Sequence, residues 1–285
     1  MAGGAYAFFP LVGEDGIVRF FAGGRDADGR SRVGIVVVKW GDAPRVVDVT
    51  DEPVLDLGDD GAFDMDGVSY PCLVETGRVL RLYFTGWRRL TGNVPWTTQL
   101  GLAVSDDGGF SFKRVTTDTI IPATVDEPIG VGSVCVARDR ERWLMYYTRL
   151  FPWNVGCDPP RPCYNIWEAA SLDGVTWQPT GVNVVPPQTG EYAVAAPSLF
   201  ETGRVRQLYF TARGHRYRLF ASTNEGGTFR RLPGPITIPP GDWDDDMQCY
   251  PHAREIDGKR YLFYCGNEYG RSGVGFAEWV APTNP

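Results

Sequence analysis

The sequence predicts an all-β protein built from five similar units in a single domain that spans residues 1–285. Glycine (35) and proline (22) are abundant and 13% of the residues are aromatic, a composition typical of short strands joined by many turns. A strand–turn–strand pattern recurs along the chain, and no long segment has the periodicity of a helix. The net charge of -7 and the absence of a Lys/Arg run exclude a nucleic acid or an anionic membrane as the expected partner.

The repeated unit is clearest in two nearly identical segments, LVETGRVLRLYFTGW from Leu73 and LFETGRVRQLYFTAR from Leu199. Further versions begin at Phe8, Gly132 and Tyr250, which gives five units of about 57 residues, near the upper end of propeller-blade periods. Radial packing of blades protects the sheet edges, and a sandwich would not explain five copies. We therefore predict a five-bladed β-propeller in which each blade is a four-stranded antiparallel sheet.

Tight turns follow the third strand of three units. A Ser-x-Asp-Gly-type turn supplies the positive φ that a hairpin needs, and the aromatic residue after it is expected to pack back onto the sheet. The turns begin at Ser105, Ser171 and Ser222, and their aromatic residues are Phe110, Trp177 and Phe229. In the last unit, Asp257-Gly258 between apolar runs predicts another hairpin.

Acidic residues precede the first strand of four units, and in a propeller that strand lines the central channel. These acids are Asp64, Asp66, Asp126, Glu127, Glu191, Asp244, Asp245 and Asp246. Like charges brought together repel and raise the pKa of at least one group, so such a set suggests a cation, sugar hydroxyls or acid–base chemistry. Glycoside hydrolysis needs one acid for the leaving oxygen and a second carboxylate as base or nucleophile. Taken singly, each acid is better explained as a surface turn residue.

Candidate ligand-binding residues lie at the ends of the second strands and in the last unit. They are Trp87, Arg213, Trp243, Tyr250, His252 and Asn267. Sugars have apolar faces and polar edges, so aromatic platforms beside Arg and Asn donors suit a saccharide. For His252, a packed side chain is the ordinary alternative to a ligand or hydrogen-bond donor. Acids around an axis can hold Ca²⁺, but no spacing here specifies a loop, so we assign no metal and no cofactor.

Four of the six cysteines fall in predicted strands, where reduced buried thiols are expected. Cys157 and Cys163 flank a proline-rich loop, in which a disulfide or metal site is the less favoured interpretation. The N-terminus lacks the features of a signal peptide and nothing reaches transmembrane length, so a cytoplasmic protein is expected.

The chain resembles the five-bladed propeller glycosidases of the arabinanase, xylosidase and invertase superfamily, and more closely a set of related bacterial propeller proteins found with polysaccharide biosynthesis genes. The motifs FDMDGV, EYAVAAPS and WDDDMQCYPHAREIDGKRYLFYCGNEYGRSGVGFA carry the resemblance. It implies an Asp base or nucleophile, a tuning Asp and a Glu acid, matched by Asp66 (or Asp64), Asp126 or Glu127, and Glu191. The invertase-type Arg-Asp-Pro signature is absent, Tyr192-Ala193 replaces the arabinanase-type Gly-Pro after the Glu, and the acids extend to Asp244 and Asp246.

Three functions are compatible with this pattern. The first is a glycosidase or transglycosidase acting on a saccharide or glycosylated small molecule, with Asp66, Glu191 and Asp246 as catalytic residues and Asp64, Glu127 and Asp244 in binding. The second is a non-hydrolytic biosynthetic enzyme, a cyclase, lyase or transferase, that uses the same site. The third is a sugar-binding propeller without catalysis, because a fold does not fix a function.

Overall fold

The computed structural model describes residues 5–121, 129–154, 161–203 and 205–280. Their regular secondary structure consists of nineteen β-strands and one short helix, which confirms the all-β prediction. Unit one contains β1 (Ala5–Val12), β2 (Ile17–Arg25), β3 (Ser31–Lys39) and β4 (Arg45–Val49). Unit two contains β5 (Gly67–Thr76), β6 (Val79–Arg89), β7 (Trp96–Ser105) and β8 (Lys113–Arg114).

Units three and four repeat this order of four strands, whereas unit five has three described strands, not the four predicted. Unit three contains β9 (Gly130–Asp139), β10 (Arg142–Asn154), β11 (Arg161–Ser171) and β12 (Gln178–Val185). Unit four contains β13 (Ala193–Thr202), β14 (Val205–Arg213), β15 (Tyr217–Glu225) and β16 (Thr228–Arg231). Unit five contains β17 (Cys249–Ile256), β18 (Lys259–Cys265), the four-residue helix α1 (Asn267–Gly270) and β19 (Val274–Glu278).

Each unit is an antiparallel meander in which consecutive strands are paired. A single parallel bridge, Ser31 to Gly67, joins units one and two, and a second, Tyr164 to Ala193, joins units three and four. The predicted Asp257-Gly258 hairpin is present, and both residues have positive φ (52° and 74°), as a two-residue hairpin requires. The units therefore correspond to the repeats seen in the sequence.

The first strand of each unit lies beside the first strand of the next, and β17 lies beside β1. The five first strands thus form a closed ring around a central axis. Residues from all five line one small cavity of about 30 Å³ on this axis. The apolar cores lie between neighbouring units, as where Trp40 of unit one packs edge-on against Tyr261 and Phe263 of unit five.

Each first strand also carries a residue in the left-handed conformation, at an equivalent position. These residues are Ala7, Tyr70, Ser133, Ala196 and Tyr250, with φ between 31° and 56°. The pairing register with the second strand shifts at each of them, so every first strand has a bulge. Bulges re-aim side chains and are frequent beside active sites.

The bulges are fixed by hydrogen bonds from one unit to the next. The Ser133 N–H donates to Thr85 Oγ1 (2.9 Å), and the Tyr250 N–H donates to Thr211 Oγ1 (2.9 Å). Both threonines belong to the repeated YFT segment of a second strand. In these two units, the threonine of the YFT segment therefore satisfies a backbone N–H of the following unit.

The predicted turns are present, with one correction. Asp107 and Asp173 each accept hydrogen bonds from two or more backbone N–H groups in their turns. Trp177 is buried as expected, but Phe110 is 64% exposed, and Phe112, two residues later, is the buried aromatic. The prediction for Phe110 was wrong because the Gly108-Gly109 pair extends the turn and moves the inward position along the chain.

The strand cysteines Cys72, Cys135, Cys249 and Cys265 are free and buried, which confirms their predicted state. Cys163 is also free, and Cys157 lies outside the described residues. Within the described ranges, no helix is long and apolar enough to cross a membrane.

Candidate functional site

A cleft of about 1010 Å³ lies on the axis, against the bulges of the first strands. All five units contribute to it. Its aromatic residues are Tyr6, Tyr70, Trp96, Tyr164, Tyr192, Tyr217, Tyr250 and Tyr269, its cations are Arg25, Arg161, Arg213 and Arg271, and its acids are Asp26 and Glu268. The described wall of the cleft is therefore aromatic and basic, whereas the whole chain is acidic.

Four tyrosines in the cleft form two hydroxyl pairs. Tyr70 donates to the hydroxyl of Tyr250 (3.0 Å), and the hydroxyls of Tyr164 and Tyr217 are hydrogen-bonded to each other. Burial raises the pKa of all four phenols well above the usual value. They remain neutral at physiological pH and present hydroxyl groups, not negative charge, to the cleft.

Arg213 stands between three of the tyrosine rings. Its guanidinium carbon lies 4.8 Å from the Tyr217 ring centre and 5.6 Å from that of Tyr192, and its Nη1 donates to the Tyr269 hydroxyl (3.2 Å). Burial alone would lower the pKa of Arg213, but the neighbouring phenols outweigh it and the pKa is raised. On the same Tyr192 ring, Arg161 lies 4.7 Å from the centre.

Tyr269 and Glu268 reach the cleft on a strained loop, residues 266–273, which we name the Tyr269 loop. Both residues are non-glycine and left-handed (φ 61° and 54°), a conformation that costs energy and is frequent at functional sites. Asn267 fixes the loop, because its Oδ1 accepts from the N–H groups of Asp246 (3.0 Å) and Met247 (2.8 Å). Asn267 therefore supports the site from behind, and it does not line the cleft.

The predicted acids of unit two do not line the cleft. Asp64 is fully buried and ion-paired with Arg114 of the outer strand β8 (2.7 Å). Asp66 accepts from the N–H of Arg89 (2.8 Å) and lies 3.5 Å from its guanidinium. Both acids hold the loop before β5, in which Phe63 packs directly over Gly86 of β6.

The acids of unit five have a structural role similar to that of the acids of unit two. Asp244 is buried and accepts from the Tyr264 hydroxyl (2.9 Å) and the Gly241 N–H (2.6 Å). Trp243 stacks on Tyr264 and packs over Gly266, as Phe63 packs over Gly86 in unit two. Asp246 is exposed, 3.3 Å from Arg216. In units two and five, the acids thus recur at the same position of the repeat because each belongs to a turn in which an aromatic residue packs over a glycine near the end of the second strand.

Glu191 faces the outer strand β16 and makes a bidentate ion pair with Arg231 (2.6 and 2.7 Å). The Gln188 N–H also donates to it (2.9 Å). Burial opposes ionisation of Glu191, but these hydrogen bonds prevail and its pKa is lowered. A general acid needs a raised pKa, so this environment favours a structural carboxylate.

The other predicted residues divide between the cleft and its surroundings. Arg213 and Tyr250 line the cleft, whereas the indole Nε1–H of Trp87 donates to Ser31 Oγ (2.7 Å) outside it. His252 lies in the small axial cavity, 3.2 Å from Ser198 Oγ, and burial followed by the charge of Arg254 lowers its pKa well below the usual value. The remaining candidates, Asp126 and Glu127, are outside the described residues.

The roles of Asp66, Glu191 and Asp246 in catalysis stay predictions, and their placement outside the cleft gives them no support. Asp26 and Glu268, the two acids among the described residues that line the cleft, were missed. Asp26 accepts from Arg32 (2.6 Å) and from the N–H of Arg30 (2.9 Å), and these bonds, that of Arg32 first, lower its pKa. In the described part of the chain, no group of three or more His, Cys, Asp or Glu residues is arranged to hold a metal.

No protein-family model matches the chain. Two proteins of Mycobacterium tuberculosis, the uncharacterized protein MT1551 of strain CDC 1551 / Oshkosh and the uncharacterized protein Rv1502 of strain H37Rv, are each 33% identical to it over 268 residues. The match covers 93% of this chain and 88% of each relative. The chain belongs to the family of these two mycobacterial proteins.

Solved structures resemble this member of the family in fold. A glycoside hydrolase superposes with a TM-score of 0.76 at 15% identity, covering 96% of this chain and 87% of its own. The Bombyx mori GH32 β-fructofuranosidase BmSUC1 gives 0.71 at 15% identity, covering 97% and 60%. A structure from the GH130 family of mannoside phosphorylases and glycoside hydrolases gives 0.72 at 16%, covering 99% and 86%. The chain therefore has the propeller-like fold of glycoside hydrolases.

Proposed function

We propose that this chain is a five-bladed propeller enzyme that acts on a saccharide or glycosylated small molecule bound in the axial cleft. The observation that carries the proposal is the cleft itself, where all five units converge on a volume of about 1010 Å³ walled by aromatic rings and hydrogen-bond donors. Rings of this kind stack on the apolar faces of sugars, while phenol and guanidinium groups bind the hydroxyls at their edges. The shared fold with glycoside hydrolases agrees with this function.

Two carboxyl groups in the cleft are available for glycoside chemistry. Asp26 is held ionised by Arg32, which suits a base, a nucleophile or a group that stabilises an oxocarbenium ion. Glu268, on the Tyr269 loop of the adjacent unit five, supplies the second carboxyl. We propose these two in place of Asp66 and Glu191, because Asp26 and Glu268 line the cleft and Asp66 and Glu191 do not.

A non-hydrolytic biosynthetic enzyme, a transferase or lyase, is the second candidate. The excess of guanidinium and neutral phenol groups over carboxylates in the cleft favours it, since such donors stabilise negative charge that develops on a leaving group. The same cleft residues would bind the substrate in both cases, so turnover measurements separate the two.

The test is a panel of mono- and disaccharides for binding, with nitrophenyl glycosides for turnover. Asp26→Asn and Glu268→Gln are compared with Asp66→Asn and Glu191→Gln, and the thermal midpoint of every variant is recorded. Glycosidase action predicts that the two cleft variants lose turnover and that the two others, once folded, keep it.

The opposite result, in which only Asp66→Asn or Glu191→Gln abolishes turnover in a stable protein, would return the site to the acids predicted from the sequence. Binding in the cleft without turnover would favour the biosynthetic enzyme. If no saccharide binds, the proposed function is wrong.

A further inference from the structure

We infer that the substrate of the cleft is an anionic saccharide, whose carboxylate or phosphate group binds at Arg213 between Tyr192, Tyr217 and Tyr269. This inference rests on the proposed function, because it concerns the same cleft and names the class of its ligand.

The first argument is the set of partners around Arg213. A guanidinium has five N–H donors in a planar fork. The partners of Arg213 in the described chain are phenol groups, and no described carboxylate lies within ion-pair distance of it. These partners are neutral at physiological pH, so an anionic ligand would add charge-assisted hydrogen bonds that the described chain does not give Arg213.

Arg231 shows what the same fold does with a structural arginine. Its side chain is 9% exposed, lies 3.9 Å from the Phe220 ring centre, and is neutralised by a bidentate pair with Glu191. Arg213 likewise lies over aromatic rings, but it lines the cleft, and its partners among the described residues are neutral phenol groups. The contrast indicates that the anion for Arg213 comes from outside the chain.

A second guanidinium strengthens the site. Arg161 and Arg213 both lie over the Tyr192 ring, at 4.7 and 5.6 Å from its centre. An anion bound between the two guanidinium groups would be attracted by both. A carboxylate or phosphate suits this position, because guanidinium groups bind both in bidentate fashion.

The balance of charge in the cleft points the same way. Among the described residues that line it are four arginines and two acids, in a chain whose net charge is -7. One of the two acids, Asp26, is already paired with Arg32, and the other, Glu268, with Arg271. A basic cleft in an acidic protein concentrates anions and repels cations.

The neighbouring tyrosines complete a site for the rest of the sugar. The rings of Tyr250 and Tyr269 are nearly parallel (23°), with centres 6.3 Å apart, and Tyr269 is 40% exposed. Tyr269 is part of this pair and accepts a hydrogen bond from Arg213, and Tyr217 contacts both Tyr269 and Arg213. An anionic group at Arg213 would therefore place its sugar ring beside aromatic faces.

The experiment is calorimetric titration of the intact chain with D-glucuronate, D-glucose 1-phosphate and neutral methyl glucoside, at low and high NaCl. The variants are Arg213→Gln and Arg213→Lys. Arg216→Gln is the matched control, because Arg216 is exposed, lies three residues away and pairs with Asp246 outside the cleft.

We expect an anionic probe to bind more tightly than methyl glucoside, with an affinity that falls as NaCl is raised. Arg213→Gln should weaken the anionic probe by about 10-fold or more, as the loss of charge-assisted hydrogen bonds implies, and should weaken the neutral probe much less. Arg213→Lys should recover part of the loss, and Arg216→Gln should resemble the unmodified chain. Preference for glucuronate over the phosphate, or the reverse, identifies the anionic group.

Equal binding of neutral and anionic probes, or no effect of Arg213→Gln, would overturn the inference and leave the proposed function standing. The absence of binding by all three probes would count against both.

Discussion

Replacing Glu191 by glutamine separates a stabilising role of this carboxylate from a catalytic one. Its two bonds to Arg231 are 2.6 and 2.7 Å, and the two side chains are 13% and 9% exposed. Removing one charge from a buried pair costs about 3–5 kcal/mol, since the other charge stays buried. Glutamine keeps one acceptor oxygen and the pair has some contact with water, so we expect the free energy of unfolding to fall by about 2–3 kcal/mol.

Urea denaturation near neutral pH measures this loss, with Glu201→Gln as the control. Glu201 also pairs with an arginine, Arg206, but it is 43% exposed, so its replacement should cost less than about 1 kcal/mol. Because the pKa of Glu191 is lowered in the folded state, its contribution is present above the unfolded pKa of about 4.3 and is lost as pH falls through the folded value. The difference between the unmodified chain and Glu191→Gln should therefore shrink in acid.

Saccharide binding to folded Glu191→Gln should equal that of the unmodified chain, since Glu191 faces away from the cleft. A loss of stability below about 1 kcal/mol would refute the energetic reasoning. Unchanged stability together with lost turnover would refute the structural assignment and restore Glu191 as a candidate acid.

Three further predictions concern the axis and the repeats. Burial lowers the pKa of His252, so stability should fall as pH drops below about 6.5; His252→Gln should reduce this dependence in urea titrations, and an undiminished dependence in the variant would contradict the assignment. Thr85→Val removes the acceptor of the Ser133 N–H and should cost about 1–3 kcal/mol with faster hydrogen exchange at that amide; unchanged exchange would exclude the bond. Gly86→Ala places a Cβ 2.4 Å from an aromatic ring and should cost about 1–3 kcal/mol in thermal denaturation, and a neutral effect would show that the loop yields.

The repeats and their hairpins could be predicted because the deciding residues are local. The Asp257-Gly258 turn and the strands around it follow from residues within the same unit. The bulges could not, because Ala7, Ser133 and Ala196 are not residue types that favour a left-handed backbone. Their conformation is imposed by the neighbouring unit.

Dependence on distant residues also explains why the positions of the acids in the candidate site could not be predicted. Acids before a first strand occur at a recurring phase, but the phase does not say whether a side chain turns to the axis or to the outer strands. Asp64 turns outward to Arg114 and Glu191 to Arg231, partners that lie 50 and 40 residues further along the chain. Arg213 was found because it ends a second strand whose direction the repeat defines, and Tyr250 because the repeat places it on a first strand.

Residues of the cleft that lie on loops were missed for a different reason. Glu268 and Tyr269 belong to a segment, GNEYGRSG, that reads as an ordinary polar loop. Its course depends on Asn267, which bonds to the backbone of the segment before β17. This pairing joins stretches about twenty residues apart and cannot be read from either alone.

In the Tyr269 loop, the residues that anchor the backbone differ from the residues that line the cleft. Asn267 and Ser272 hold its course through atoms that do not enter the cleft, and Ser272 Oγ donates to the carbonyl of Trp243 (2.6 Å). Glu268, Tyr269 and Arg271 are exposed, and none of them belongs to an apolar core. Because the anchors are separate from these side chains, replacement of Tyr269 or Arg271 is expected to change ligand preference while the course of the loop and the ring of first strands stay intact.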